Sequence, residues 1–232
     1  MIFLFCIGAC LGSFIGVVID RIPQELNCLW GRSYCFKCHH QLTFFDMIPI
    51  LGWFFCRGRC RYCHQPISPF YPIIETLSGV MILLVYSLYG WSFSFVYVYL
   101  LGLLLLCMSV IDYRTLSVYH IHLFLLLIFA GLAFYFDEQS LMERIEGMLS
   151  MSVLMMVMNC IKTSFGHGDI VMAMCFGWIL GIDAWLLAIF IATLTGSLYS
   201  IMMILLKKKD RYDFIPFVPF MSLGVMMVLM WI

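Results

Sequence analysis

Apolar and polar positions along this chain fall into blocks and do not alternate. Apolar runs occupy about 1–19, 72–89, 95–111, 118–136, 147–162, 170–182, 185–206 and 214–232. Several approach the roughly 20 residues a helix needs to cross a hydrocarbon core of about 30 Å. The pattern therefore predicts eight membrane helices. The run 170–182 is short for a span, which leaves its boundary near Asp183 open and makes seven the alternative count. One long interruption, residues 21–71, is polar by comparison. The fold class expected is an all-α polytopic integral membrane protein with a small insertion. Its parts are a first helix (1–20), the insertion (21–71) and a helical core (72–232). No internal repeat and no low-complexity tract is present.

Composition agrees with this pattern. The chain is 64% hydrophobic and 11% charged, with mean hydropathy +1.02; a soluble domain of this length needs more charge to cover its surface. The formal net charge of zero conceals clustering. With the N-terminus outside, twelve of the thirteen Lys and Arg residues fall in inner loops, and only Arg144 falls outside, beside Asp137, Glu138, Glu143 and Glu146. The positive-inside rule then places residues 21–71 in the cytoplasm. The basic tract 207–211 reads as an inner anchor at a helix end, not as a nucleic-acid site. The first apolar run has no basic residue before it and Arg21 after it. That is the pattern of a retained helix and not of a secretory signal. Its Gly8, Gly12 and Gly16 form a small-residue stripe suited to close helix packing.

Eleven cysteines are present. Cys6, Cys10, Cys107, Cys160 and Cys175 lie in apolar runs, where a thiol behaves as a small hydrophobe. The insertion holds the other six, including Cys35-Phe-Lys-Cys38 and Cys60-Arg-Tyr-Cys63. Two such knuckles supply four thiolates for a closed tetrahedral zinc site, which is structural because it keeps no open position for water. A segment this small and this polar needs such a staple to fold. A reducing cytoplasm disfavours disulfides. Cys28, Cys56, His39, His40 and His64 read as structural or solvated neighbours.

Charges at the ends of membrane helices are costly and each needs a reason. Asp112, at the inner end of the third helix, and Asp169, at the start of the sixth, fall at one membrane depth although 57 residues separate them. Taken singly, Asp112 reads as a surface partner for Arg114 and Asp169 as a helix cap. Taken together they form a candidate pair that shares a water, one protonated and one ionised, as in aspartic proteases. The helix dipoles would make Asp169, at a positive N-terminus, the base and Asp112, at a negative C-terminus, the acid. Gly166, His167 and Gly168 precede Asp169, and the glycines suggest unusual backbone angles or close approach.

These residues resemble the type IV prepilin peptidase family, GxGD-type aspartic proteases of the bacterial inner membrane. The resemblance runs through Gly12-Ser-Phe14, Asp20-Arg-Ile-Pro23, Asp46-Met-Ile-Pro49, Arg57 to Cys63, Ile67-Ser68 and Tyr71-Pro72 to Glu75. It continues at Ile111-Asp-Tyr-Arg114, Gly166-His-Gly-Asp169 and Ile215 to Phe220. Departures are Val171 where the family usually has Lys, Tyr119-His120 where it often has Pro-Asp or Pro-Asn, and Val218 where it has Gly. The resemblance implies catalytic Asp112 and Asp169, and cleavage of the basic leader of type IV prepilins or pseudopilins at the cytoplasmic face, with the lipid bilayer as the other partner. For members with a Cys-rich loop it further implies N-methylation of the new N-terminus with S-adenosylmethionine, for which Arg21, Glu25, Asp46 and Glu75 are the candidate residues. The look of the chain leans toward competence-type pseudopilins. The rival readings are a transporter whose carboxylates carry ions, and a zinc-stapled pilus-assembly protein without catalysis.

Overall fold

The computed structural model describes residues 1–28, 33–35, 37–136, 139–161, 166–208 and 214–231. The inner-loop cations Arg32, Lys162, Lys209 and Arg211, and the outer acids Asp137 and Glu138, lie outside the described residues. Among those described the structure is all-helical: α1 (Ile2–Arg21), α2 (Leu51–Phe55), α3 (Phe70–Tyr89), α4 (Phe93–Thr115), α5 (His120–Ala133), α6 (Leu141–Ile161), α7 (His167–Leu205) and α8 (Val218–Trp231). Five are long and apolar enough to cross a membrane, namely α1, α3, α4, α6 and α7, while α5 and α8 are shorter apolar helices. Two compact units form, Met1–Trp91 and Ser92–Ile232. Helix α3, expected to open the helical core, thus groups with α1.

The small-residue stripe explains the first unit. A Cβ on Gly8 would stand 2.7 Å from Ile82 and 2.9 Å from the Gly79 backbone; one on Gly12 would meet Ser78 and the Glu75 backbone within 2.9 Å. The missing side chains bring α1 and α3 into contact, and Ser78 then donates its hydroxyl to the Gly8 carbonyl at 2.6 Å. At the far end of α1 the Tyr71 hydroxyl donates to Asp20 at 2.6 Å. In lipid, where helices gain little by hiding apolar surface from one another, close packing and such bonds are what hold them.

In the second unit, α7 is the organising element. At 39 residues a straight helix would run about 58 Å, nearly twice a bilayer core. It does not run straight. Gly181 adopts φ 71 and ψ 174, which is non-helical and strained for any residue with a Cβ. The break separates two helical stretches at a point two residues before the Asp183 boundary read from hydropathy. Beside it, Gly147 of α6 and Gly177 of α7 meet backbone to backbone, leaving no room for a Cβ on either. Gly224 of α8 lies equally close to the Ala188 carbonyl of α7.

Arg144 departs from its expected place on an acidic outer surface. It is fully buried. Its guanidinium donates to the carbonyl of Trp178 at 3.0 Å and of Ala133 at 3.4 Å, and stands 5.8 Å over the Phe134 ring. Gln139 adds a bond to the Leu180 carbonyl at 2.8 Å. These are the carbonyls at the end of α5 and just before the Gly181 break, the groups a helix leaves unsatisfied and where a cation is favourable.

Replacing Gly147 with Val forces α6 and α7 apart and lowers stability by about 2 kcal/mol or more. The thermal unfolding midpoint in detergent should drop accordingly. Gly131→Ala, with nothing within 4 Å of the added carbon, should leave it unchanged.

Candidate functional sites

In the first unit the two CxxC segments fold into matching knuckles. The Cys35 amide donates to the His40 carbonyl and the His39 amide donates to the Cys35 carbonyl; in the second knuckle the Cys60 amide donates to the Gln65 carbonyl and the His64 amide to the Cys60 carbonyl. Isolated bridges pair Tyr34 with Gln41 and Arg59 with Pro66, closing each knuckle at its base. His39 and His64 sit at φ 55 and 56, the left-handed position that each tight knuckle needs. Their role is thus conformational, a part that the sequence did not reveal. The His40 ring packs on Tyr62 with centroids 3.6 Å apart.

The four sulfurs of Cys35, Cys38, Cys60 and Cys63 lie within 4.8 Å of one another, and Cys35 and Cys63 are 3.8 Å apart. A disulfide would need about 2.05 Å; four thiolates about 2.3 Å from one tetrahedral ion stand about 3.8 Å apart along each edge. The cluster therefore fits a metal ion. Its electrostatics point the same way. Amides of Cys38 and Lys37 draw the Cys35 thiol down to about 7. The Gln65 amide favours a Cys63 thiolate, but desolvation and the three neighbouring sulfurs outweigh it and push that thiol up to about 11. Four sulfurs so close ionise together only around a cation.

Asp46 proves to be a scaffold for this segment. Its Oδ2 accepts from the Thr43 amide at 3.0 Å, the Thr43 hydroxyl at 2.6 Å and the Tyr62 hydroxyl at 3.4 Å, and Arg61 pairs with Oδ1 at 3.4 Å. Burial opposes its charge, yet the Thr43 bonds, the Arg61 cation and Tyr62 together hold its carboxyl below the usual range. Arg21 is likewise engaged, donating to the Asn27 carbonyl at 2.9 Å. Glu25 is exposed at a left-handed turn. Glu75 is buried, 7% exposed, and its Oε2 accepts the Ile50 amide at 2.6 Å.

In the second unit, Asp112 lies in the last turn of α4 and is 5% exposed. It does not sit at the surface beside Arg114. Instead it accepts the Val218 amide at 3.1 Å, 106 residues away, at the first turn of α8. Asp169 occupies the first turn of α7 and accepts the Gly166 amide at 3.1 Å, so it does cap its helix. The two carboxyls are within electrostatic reach of each other. Both therefore meet helix N-termini, and the dipole argument that gave them opposite environments does not separate them. Their exposure does, since Asp169 is partly open to solvent and Asp112 is buried. Neither glycine before Asp169 has a positive φ. Gly168 serves close approach, because its Cβ would lie 2.9 Å from Val118 in the α4–α5 connection. His167 is exposed.

These features define a class: a multi-helix membrane protein with a four-cysteine cluster that fits a metal ion in one unit and two carboxyls at helix ends, within electrostatic reach of each other, in the other. The comparisons with known proteins narrow it. Residues 6–89 match the Bacterial Peptidase A24 N-terminal domain, and residues 98–201 match the Type IV leader peptidase family; the boundary between the matches falls where the structure divides. A prepilin leader peptidase/N-methyltransferase of Klebsiella pneumoniae is 32% identical over 78% of this chain and 86% of its own length. One of Aeromonas hydrophila is 27% identical over 100% of this chain and 90% of its own. One of Myxococcus xanthus (strain DK1622) is 40% identical, over 48% of this chain and 33% of its own. No solved structure matches. The chain belongs to the prepilin leader peptidase/N-methyltransferase family. It is an enzyme, which sets aside the transporter and the non-catalytic assembly protein.

Cys60→Ser should abolish tight binding of one metal ion per chain, read by elemental analysis of the purified protein. His64→Gly, which removes a side chain from a left-handed position, should keep the metal and fold at least as stably. Retention of metal by Cys60→Ser would contradict the four-thiolate site.

Proposed function

We propose that this protein cleaves the leader of type IV prepilins or pseudopilins with Asp112 and Asp169, and then N-methylates the exposed N-terminus. The observation that carries the peptidase reading is that two carboxyls distant in sequence stand within electrostatic reach of each other, each fixed by a backbone amide at a helix start. An amide on one carboxylate oxygen orients the group and leaves the other edge for a water. Asp169, the more exposed, takes a proton from that water as its oxygen attacks the scissile carbonyl. Asp112, buried and pinned by α8, gives its proton to the carbonyl oxygen and so offsets the charge that develops there. On collapse of the tetrahedral centre Asp169 passes the proton it took from water to the leaving amine, and Asp112 regains its proton from the hydroxyl that becomes the new carboxyl oxygen. The basic residues orient the chain with these helix ends toward the cytoplasm of a bacterial inner membrane. There a positively charged leader stays in water while its apolar helix rests in lipid.

Zinc is the ion the four thiolates suit best, and its part is to hold the insertion in shape. Methylation belongs to the first unit, with S-adenosylmethionine as the group that supplies the electrophilic methyl. The substrate's role in competence, secretion or motility follows from which pilin-like protein it meets.

In detergent with a synthetic prepilin, Asp112→Asn and Asp169→Asn should each lower cleavage by about 10³-fold or more. Both variants should still methylate a peptide that already lacks its leader. Cleavage retained by either variant would refute the pair, and absence of cleavage by the parent protein would refute the peptidase reading.

A further inference from the structure

One surface of the unit Met1–Trp91 is apolar where the segment around it is polar. Between the two cysteine knuckles a 3-10 helix, Phe44–Met47, and α2 fold back on each other. They meet backbone to backbone, since a Cβ on Gly52 would stand 2.6 Å from the Asp46 carbonyl. The polar groups of this hairpin are engaged within the unit. Asp46 is held by Thr43, Tyr62 and Arg61, and the Trp53 indole donates to the Ile67 carbonyl at 3.1 Å. The apolar side chains are left outside. Phe44, Phe45, Phe54 and Phe55 are 62–75% exposed, and Met47 and Leu51 are exposed with them. Single exposed apolar residues are ordinary, but a cluster of this kind marks a surface that meets something.

The place where the hairpin is pinned says what it meets. Ile50, in the turn between its two helices, donates its amide to Glu75 at 2.6 Å. It does so at φ 63 and ψ −57, a region that β-branched residues rarely occupy, so the fold accepts strain to keep the turn there. Glu75 is the sixth residue of α3, about 8 Å along its axis from Phe70. Along the same helix Ile73, Leu77, Val80, Leu84 and Leu88 are exposed at spacings of three and four residues. That is the stripe a membrane-spanning helix turns toward lipid. It already includes Ile73, so the lipid-facing stretch begins before the level of Glu75 is reached. The hairpin is thus tied at the depth where α3 enters the bilayer. Arg57, two residues beyond Phe55, is exposed and carries a charge of the sign that anionic headgroups attract.

We propose that Phe44, Phe45, Leu51, Phe54 and Phe55 form a face that enters the inner leaflet of the membrane, with its rings at the boundary of headgroups and acyl chains. Aromatic side chains favour that zone. The insertion is then a membrane-resting element with its apolar hairpin in lipid and its knuckles above, and not a domain hung in water from the ends of α1 and α3. The leaflet is the cytoplasmic one by the distribution of basic residues. The contact depends on the bilayer alone, and neither the peptidase nor the methyltransferase reading enters it.

Photocrosslinking of the full-length protein in bilayer discs of phosphatidylethanolamine and phosphatidylglycerol tests the contact. The photoreactive residue p-benzoylphenylalanine replaces Phe45, Phe54 or, as a polar position of the first knuckle, the exposed Lys37. Crosslinked partners are read by peptide mass spectrometry, and metal content verifies that each variant is folded. An interfacial face lies about 5–10 Å into the boundary, so lipid adducts at positions 45 and 54 should exceed those at 37 by roughly tenfold or more. Phe45 and Phe54 lie on different helices of the hairpin; if one variant does not fold, the other decides. Lipid yields no higher than at Lys37 would overturn the proposal. So would adducts formed mainly with the Ser92–Ile232 unit or with a second copy of the chain, which would make the face a protein-docking surface.

Discussion

A carboxyl group placed among lipid-level helices must be given hydrogen-bond donors, and the rest of the second unit is arranged around that need. Asp112 and Asp169 obtain them from backbone amides at the starts of α8 and α7. Helix starts are where unpaired amides are available. Two helix ends therefore meet at Asp112, the last turn of α4 and the first turn of α8, with Asp169 in the first turn of α7 within electrostatic reach. The same bonds that make the carboxyls tolerable also orient them.

Those helix ends stay in register only if the helices behind them are close and fixed. Glycine does much of this work. Gly147 against Gly177, and Gly224 against Ala188, bring α6 and α8 onto the α7 backbone. The break at Gly181 lets one long apolar element supply two packed stretches. Arg144 then satisfies carbonyls beside the break and at the end of α5. In the first unit the small residues of α1 perform the same task against α3. There the paired knuckles fix the insertion, whose segments close a cavity with those two helices.

Much of this was legible in residues 1–232 without coordinates. The apolar blocks gave the helices, because bilayer thickness constrains length and composition tightly. The paired CxxC spacing gave the thiol cluster, because ligation needs four sulfurs near one point. What escaped notice depended on contacts between distant positions. Nothing near Asp112 in sequence announces that Val218 will donate to it, and that bond removes the helix-dipole contrast on which opposite roles had been based. Arg144 looks like a surface cation because acids flank it, yet its partners are carbonyls of Trp178 and Ala133. Asp46 and Glu75 look alike as loop-region acids; only the fold shows one saturated by Thr43, Tyr62 and Arg61, and the other held in a cavity. His39 and His64 read as structural or solvated neighbours in the sequence, and only their backbone angles show the left-handed turns that they occupy.

The central claim is that Asp112 and Asp169 act as one catalytic unit, and a double-mutant cycle on prepilin cleavage tests it most directly. If they share one water, the Asp112→Asn/Asp169→Asn double variant should be no slower than either single variant, because the first substitution already removes all that the pair contributes. Losses that multiply in the double variant would show two independent contributions and contradict the account.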